Sequence, residues 1–335
     1  MAKKQNKKTK EEKIDLEAQY KDIVENTENE NLKKEETPTP VVPEVINQGK
    51  VNMDRFTGGA GKARDADTIL GYHNVPVSVL PSKGRFYPHD TEISIRSAKV
   101  AEIRHFSTVD EQNILDIDSK LNAILDSCTR VTCKTKRLSY KDLCEEDRFY
   151  IVLSVRDLTF PEPESKLKVD HQDKKGKNHE IMIEKKYFMY FSIPQELEKY
   201  YDNDERAFLI ETKSFGTIKM RPPSIGIMQQ MTGYIKERQE KGVEIDQSIL
   251  QVMPYLHTEW RGFDKKKIFD FEMEMNTWSN KKYSLIYKIA EKLKVGIQPN
   301  MAVTLDGGED VEIPINFRDG IKSLFIVQDI AGELL

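Results

Sequence analysis

"LPSKGRFYP", residues 80–88, decides where order begins in this chain. Proline pre-sets φ and glycine accepts positive φ, so Pro81–Ser82–Lys83–Gly84 reads as a tight turn with Gly84 in the left-handed region. On its N-terminal side, "HNVPVSVL" places apolar residues at 75, 77 and 79, the two-residue period of a strand. Pro76 cannot donate to a ladder and assigns that strand to an edge. On its C-terminal side, "EISIR" (92–96) is the next strand. The stretch is therefore expected to be a rigid bend that carries Phe86 and Tyr87. Neighbours on an extended segment face opposite ways, which directs Phe86 into a local core and Tyr87 toward a partner.

Upstream of the bend the composition changes. Residues 1–50 hold many Lys, Glu and Asn and no Phe or Trp, so they bury too little surface to offset their ordering entropy. Residues 1–68 are expected to be a disordered charged tail and linker. "FTGGAGKARD" (56–65) imitates a phosphate loop, but Ala63 stands where the metal-binding hydroxyl belongs and no strand precedes it. The basic start lacks an apolar segment behind it, so no signal peptide is expected. No apolar run approaches the ~18 residues that span a bilayer.

Downstream, residues 69–335 read as one folded α+β region: helical packing with several two-stranded hairpins, divisible at about residue 200 into sub-modules 69–200 and 201–335. Thr108–Val109–Asp110–Glu111 is a capping box ahead of an apolar stripe from Ile114 to Cys128. Ser139–Tyr140–Lys141–Asp142 opens a second helix, which Pro161 and Pro163 end. Hairpins are expected at 166–193, at 208–221 with a turn at Ser214–Phe215–Gly216, and at "AVTLDGGEDVEIPI" with a turn at Asp306–Gly307–Gly308. Helices are expected at 224–240, 246–257 and 264–294, with a short last one around "DGIKSLFIV". "ISIRSAKVAEI" (93–103) and "IKMRPPSIGIM" (218–228) share a pattern of strand, arginine, short link and helix, aligning Arg96 with Arg221 and Val100 with Ile225.

The composition narrows the function. Fifty-two basic and 56 acidic residues give a formal charge of −4, which disfavours a nucleic-acid binder. Three cysteines make no disulfide framework and point to a reducing compartment, a cytoplasm. No histidine enters a zinc motif. His171 and His179, with Asp170 and Asp173, would face each other at one hairpin tip and are the best place for a metal, though polar tips commonly look this way. No serine-hydrolase elbow is present. Glu145–Glu146–Asp147 suits a helix N-terminus without catalysis. The reading is a non-enzymatic protein with no cofactor, acting by protein contacts. Trp260 and Phe263, in the polar link "TEWRGFDKKK", join Phe86 and Tyr87 as candidate partner-binding aromatics.

A set of stretches carries a resemblance: "VLPSKGRFYP", "ISIRSAKVAEIRHFSTVDE", "LNAILDSCTRV" and "LSYKDLCEEDRFYIVLSVRDLTF". Arg96, Val100, Glu102, Cys128, Asp142, Leu143, Asp147, Leu153 and Arg156 fill its pattern. From residue 79 to about 326 the chain resembles baseplate hub subunits and hub assembly proteins of contractile-tailed bacteriophages. The resemblance implies a structural or assembly role, with other tail baseplate and hub proteins as partners. It places the chain in the virion or in the host cytoplasm during assembly. Membrane, nucleic acid and small molecules are not expected as ligands. The alternatives are a tail-associated hydrolase or nucleotide-dependent factor, and a nucleic-acid-binding module. Some members of the family carry cysteine pairs at hairpin tips. Here the tips read "DHQDKKGKN" and "LDGGED", so a metal does not carry over.

Overall fold

In a computed structural model the described residues are 71–325, apart from 162–165, 175, 258, 306–307 and 318–319 and the side chains of 247 and 249. The chain divides into Met1–Lys62 and Ala63–Leu335, and every described residue lies in the second unit. The expected disordered tail, the glycine-rich stretch 56–65, Pro163, the Asp306–Gly307 turn and the end of the last helix lie outside the described residues.

The fold is α+β, as the sequence implies. Its first sheet is antiparallel, in the order β1 (His73–Val75), β2 (Glu92–Ile95), β3 (Thr129–Thr132). Ile93 and Ile95 alternate inward from β2 and are buried. Two helices connect β2 to β3: α1 (Val100–Ser107) and α2 (Ile114–Cys128). Asn113, rather than the expected Thr108, caps α2, because its side chain accepts from the N–H groups of Leu115 and Asp116. Leu121, Ile124, Leu125 and Cys128 form the buried stripe.

Helix α3 (Arg148–Thr159) is the centre of this half. Ile151 to Arg156 are all buried, which fits a helix covered on several sides. It packs on α2 and β2. The Phe149 ring lies 6.3 Å from Phe188 and 6.1 Å from Phe317. The second expected helix thus starts later than the sequence suggests. Ser139 does form its capping box with Asp142, but around a single 3₁₀ turn.

β4 (Lys168–Gln172) and β5 (Asn178–Met182) make an antiparallel hairpin with His171 opposite His179. The expected hairpin continues into "KKYFMYFSI", but that segment turns away. β6 (Phe188–Tyr190) instead pairs with β10 (Ile297–Thr304), which pairs in turn with β11 (Asp310–Pro314). The division at residue 200 is therefore bridged by a sheet with strands from both sides.

After α4 (Gln195–Glu198) comes the sheet β7 (Tyr201–Asp202), β8 (Ala207–Thr212), β9 (Gly216–Met220). Four helices follow: α5 (Ile225–Glu240), α6 (Gln247–Leu256), α7 (Lys265–Met275) and α8 (Asn280–Lys292). The last two were one helix by periodicity. Ser279 caps the N-terminus of α8 with its side chain, and this competing hydrogen bond breaks the run. Met220, Ile225, Ile227, Val252, Met253 and Ile268 meet in the core of this half.

The bend at 80–88 is more curved than a strand-to-strand corner. Val77–Val79 is a 3₁₀ turn, and residues 81–86 continue in successive turns. The period-2 pattern at 75, 77 and 79 is cut by Pro76, which leaves β1 only three residues long. Gly84 has φ +75°, as expected, and a Cβ there would lie 2.9 Å from Val77 Cγ2. Gly84→Val should cost about 2–4 kcal/mol, combining left-handed strain with overpacking. Gly216, at φ +71° with open space around its Cβ position, provides a control, and Gly216→Asn should cost far less. Denaturant titration of both variants checks the difference.

Candidate functional site

Asp147 is fully buried immediately before α3, and the bend at 80–88 is wrapped around its carboxylate. The Ser82 backbone N–H donates to Oδ1 (2.8 Å) and the Ser82 hydroxyl to Oδ2 (2.5 Å). The Tyr87 hydroxyl also donates to Oδ2 (2.5 Å), while its oxygen accepts the Cys144 N–H (2.9 Å). Burial raises the Asp147 carboxyl above its ordinary range, and the Ser82 and Tyr87 donors pull it back. Burial first, and the Asp147 charge second, push the Tyr87 phenol well up.

The segment carrying Asp147 is held from its other side. Glu145 N–H donates to Pro223 O (2.9 Å) and Ile225 N–H to Leu143 O (2.8 Å), flanking a bridge between Cys144 and Ser224. This fixes the N-terminus of α5. The link after α6 closes over the same place. Trp260 Nε1–H donates to Asp142 Oδ1 (3.1 Å), and Arg261 reaches both Asp142 oxygens (2.6 and 2.9 Å). The indole lies against Gly226, where a Cβ would collide with the ring. Lys141 and Arg261 stand 5.3 and 4.7 Å from its centroid.

Between these segments lies a cleft of about 220 Å³. Its lining includes Phe86, Tyr87, Pro88, Arg206, Arg221, Trp260 and Arg261. Stretches singled out separately in the sequence, the bend, the "RPPS" strand exit and the "TEWRGF" link, thus meet at one place.

The four candidate aromatics fare differently. Phe86 is buried and its ring lies 6.3 Å from Tyr201 and 6.5 Å from Phe208, so it fills the core role expected of it and, contrary to its place among the partner-binding candidates, presents no surface for docking. Tyr87 is buried too, at 4% exposure, so its side chain does not present a free surface for docking. The opposite-faces rule fails because residues 81–86 form turns rather than an extended strand. Phe263 is also buried, its ring tilted against that of His257 at 4.1 Å between centroids. Trp260 alone of the four is partly exposed. Arg206 was missed by sequence reasoning, since the turn "DNDER" resembles any polar hairpin tip.

A second polar cluster joins three residues of the resemblance. Arg96 pairs with both Glu102 oxygens (3.0 and 2.5 Å), and Cys128 Sγ approaches Glu102 Oε2 at 3.5 Å. The Arg96 hydrogen bonds hold Glu102 down to about 2, while burial pushes the Cys128 thiol up to about 12. That thiol stays protonated and is a core group, not a nucleophile. Among the described residues no group of three or more His, Cys, Asp or Glu side chains is placed to hold a metal ion. His179 is engaged by Asp173 at 3.1 Å.

Compared with known proteins, the chain matches no family model, no curated protein and no solved structure significantly.

Two measurements test this arrangement. Tyr87→Phe leaves the Cys144 N–H without its acceptor and removes a donor from a buried carboxylate, so the protein should lose about 2–3 kcal/mol in denaturant unfolding. The second concerns His257, which burial, then the Lys267 charge, depress from 6.5 to about 4. The folded state holds this ring neutral, so its contribution is present above pH 6.5 and is lost as pH falls toward 4. Glu145, raised by burial to about 7, works oppositely, because its protonation on acidification favours the folded state. His257→Leu should therefore become more stable relative to wild type as pH falls from 7 to 4.5, by about 1–2 kcal/mol after screening is allowed for. A pH-independent difference would show that the ring does not titrate this way.

Proposed function

We propose that the chain is a structural or assembly protein of the tail baseplate hub of a contractile-tailed bacteriophage, acting through contacts with other tail proteins and not by catalysis. The observation that supports this reading is where the residues of the resemblance lie. Arg96, Glu102 and Cys128 form one cluster. Asp147 gathers Ser82 and Tyr87, and Asp142 gathers Trp260 and Arg261. Leu143 and Leu153 are core residues and Arg156 is buried. Apart from Val100, which is largely exposed, the pattern thus consists of residues that fasten strands, turns and helices, and none of them forms a reactive site, which supports a structural role. Such a protein works in the host cytoplasm during assembly, in the virion, or in both. Among the described residues no helix is long and apolar enough to cross a membrane.

The test is affinity purification of the tagged full chain from phage-infected cells, with identification of what co-purifies. Tail-hub proteins are the expected partners, and mass spectrometry of purified virions then separates a retained subunit from a transient helper. Trp260→Ala should weaken the association by more than about tenfold while the protein stays folded, since a partly exposed, preorganised aromatic is the kind of side chain that dominates interfaces. Recovery of nucleic acid or of no tail protein would overturn the reading.

A further inference from the structure

Two arginines that line the cleft, Arg206 and Arg221, differ from the paired charges around it. The lining carboxylates have their own cations: Asp142 has Arg261, Glu205 has Lys219 at 2.5 Å, and Glu259 has Lys136 at 2.7 Å. Asp204 is exposed at the outer edge. Arg206 and Arg221 have no hydrogen-bond or ion-pair partner for their side chains among the described residues, and the Nε of each is fully buried. They are close enough that the Arg206 charge opposes that of Arg221. Guanidinium groups remain charged, and Glu259, whose charge acts on that of Arg221, is exposed and already paired with Lys136.

Two further features set these residues apart. Arg221 occupies the position of Arg96 in the repeated strand-to-helix pattern, and the structure gives both the same path. Each follows a strand, and each donates its backbone N–H to the carbonyl of a helix end, Arg96 to Cys128 and Arg221 to Tyr255. Arg96 is neutralised by Glu102, six residues on. The residue six on from Arg221 is Ile227, which is buried in the core. The second arrangement therefore keeps the arginine and lacks the carboxylate. Arg206 has φ +49°, one of two non-glycine residues with positive φ among those described. Asp202 Oδ1 fixes its turn by accepting from Asp204 and Glu205 N–H (2.9 and 2.8 Å). A glycine would adopt this conformation without strain, so the strained arginine points to a use for its side chain.

We propose that Arg206 and Arg221 form a clamp for a carboxylate of a partner polypeptide, an acidic side chain that enters the cleft beside Trp260. A planar fork of donors matches a carboxylate in bidentate fashion. The exposed Asp204, unpaired among the described residues, opposes a dianion more than a single charge, which favours a carboxylate over a phosphate. Pro88 and the Trp260 ring, both partly exposed, supply apolar contact for residues flanking the acid. The inference rests on the assembly reading only in taking the ligand to be a polypeptide.

The test is a fluorescence titration of the full chain in a Trp278→Phe background, where Trp260 is the sole indole. The probes are acetyl-Glu-Leu-Glu-Leu-amide, its glutamine isostere and inorganic phosphate at one low ionic strength. A saturable response to the glutamate peptide, with a weaker one to the isostere and to phosphate, is expected. Arg221→Met and Arg206→Gly should each weaken binding by about tenfold or more. Both should leave the melting temperature unchanged or higher, since each removes a part-buried charge that has no bonded partner among the described residues and the second also relieves strain. No saturable response, equal binding of the isostere, or tighter binding of phosphate would overturn the proposal. So would variants that melt lower yet bind normally, because the arginines would then be structural. If peptide binding fails while hub proteins still co-purify, the clamp falls and the assembly reading stands. If the peptide binds and no tail protein co-purifies, the reverse holds.

Discussion

A carboxylate taken out of water has to be met by donors, and the fold around Asp147 is organised by that requirement. An unpaired buried carboxylate would cost several kcal/mol. Here three donors from Ser82 and Tyr87 surround it. All three come from a bend that lies 60–65 residues away in sequence. The bend cannot slide without orphaning the charge, so its turns are fixed more firmly than loop composition alone would fix them. Through Tyr87 and Cys144 the same network reaches the segment that pairs with Pro223–Ile225, and so sets where α5 begins. Asp147 is helix-proximal yet makes no side-chain cap to α3. Its acidic character reads like macrodipole stabilisation, but its contacts are tertiary.

Asp142 has a comparable role at lower burial. It closes the capping box of its own turn with Ser139 and then accepts from Trp260 and Arg261. One side chain thus orders a local turn and holds a link more than a hundred residues downstream. The Trp260 ring is held by this bond, by two flanking cations and by the close backbone of Gly226. A partly exposed aromatic held in one position has already lost the rotamer freedom that binding would otherwise remove.

Several elements were legible because their cause is local. The β8–β9 hairpin follows from two-residue alternation around Gly216 at φ +71°. Helix α5 begins at Ser224, whose hydroxyl accepts from the Ile227 N–H. The left-handed Gly84 follows from a proline three residues earlier. Other elements depend on distant partners. Nothing in "KKYFMYFSI" shows that β6 pairs with a strand near residue 300 instead of continuing the β4–β5 hairpin. The break between α7 and α8 turns on the competition of Ser279 with the backbone, which apolar periodicity does not register. The inward side of Tyr87 was hidden because its acceptor, Asp147, lies in another segment. Each segment lining the cleft was visible alone, but their meeting is a tertiary fact.

The repeated strand-to-helix pattern shows what such a motif contributes to a surface. In both copies the arginine backbone is bound to a helix-end carbonyl, so the point from which its side chain leaves is set by main-chain geometry. The side-chain environment is then free to differ. The first copy has Glu102 within bonding distance and becomes a closed structural cluster with Cys128. In the second, an apolar Ile227 occupies the corresponding place and contributes to the α5 core. Arg221 lines the cleft beside Arg206 with no bonded carboxylate among the described residues. Core packing by Ile227 and the lack of a bonded partner for Arg221 are thus two results of a single residue choice.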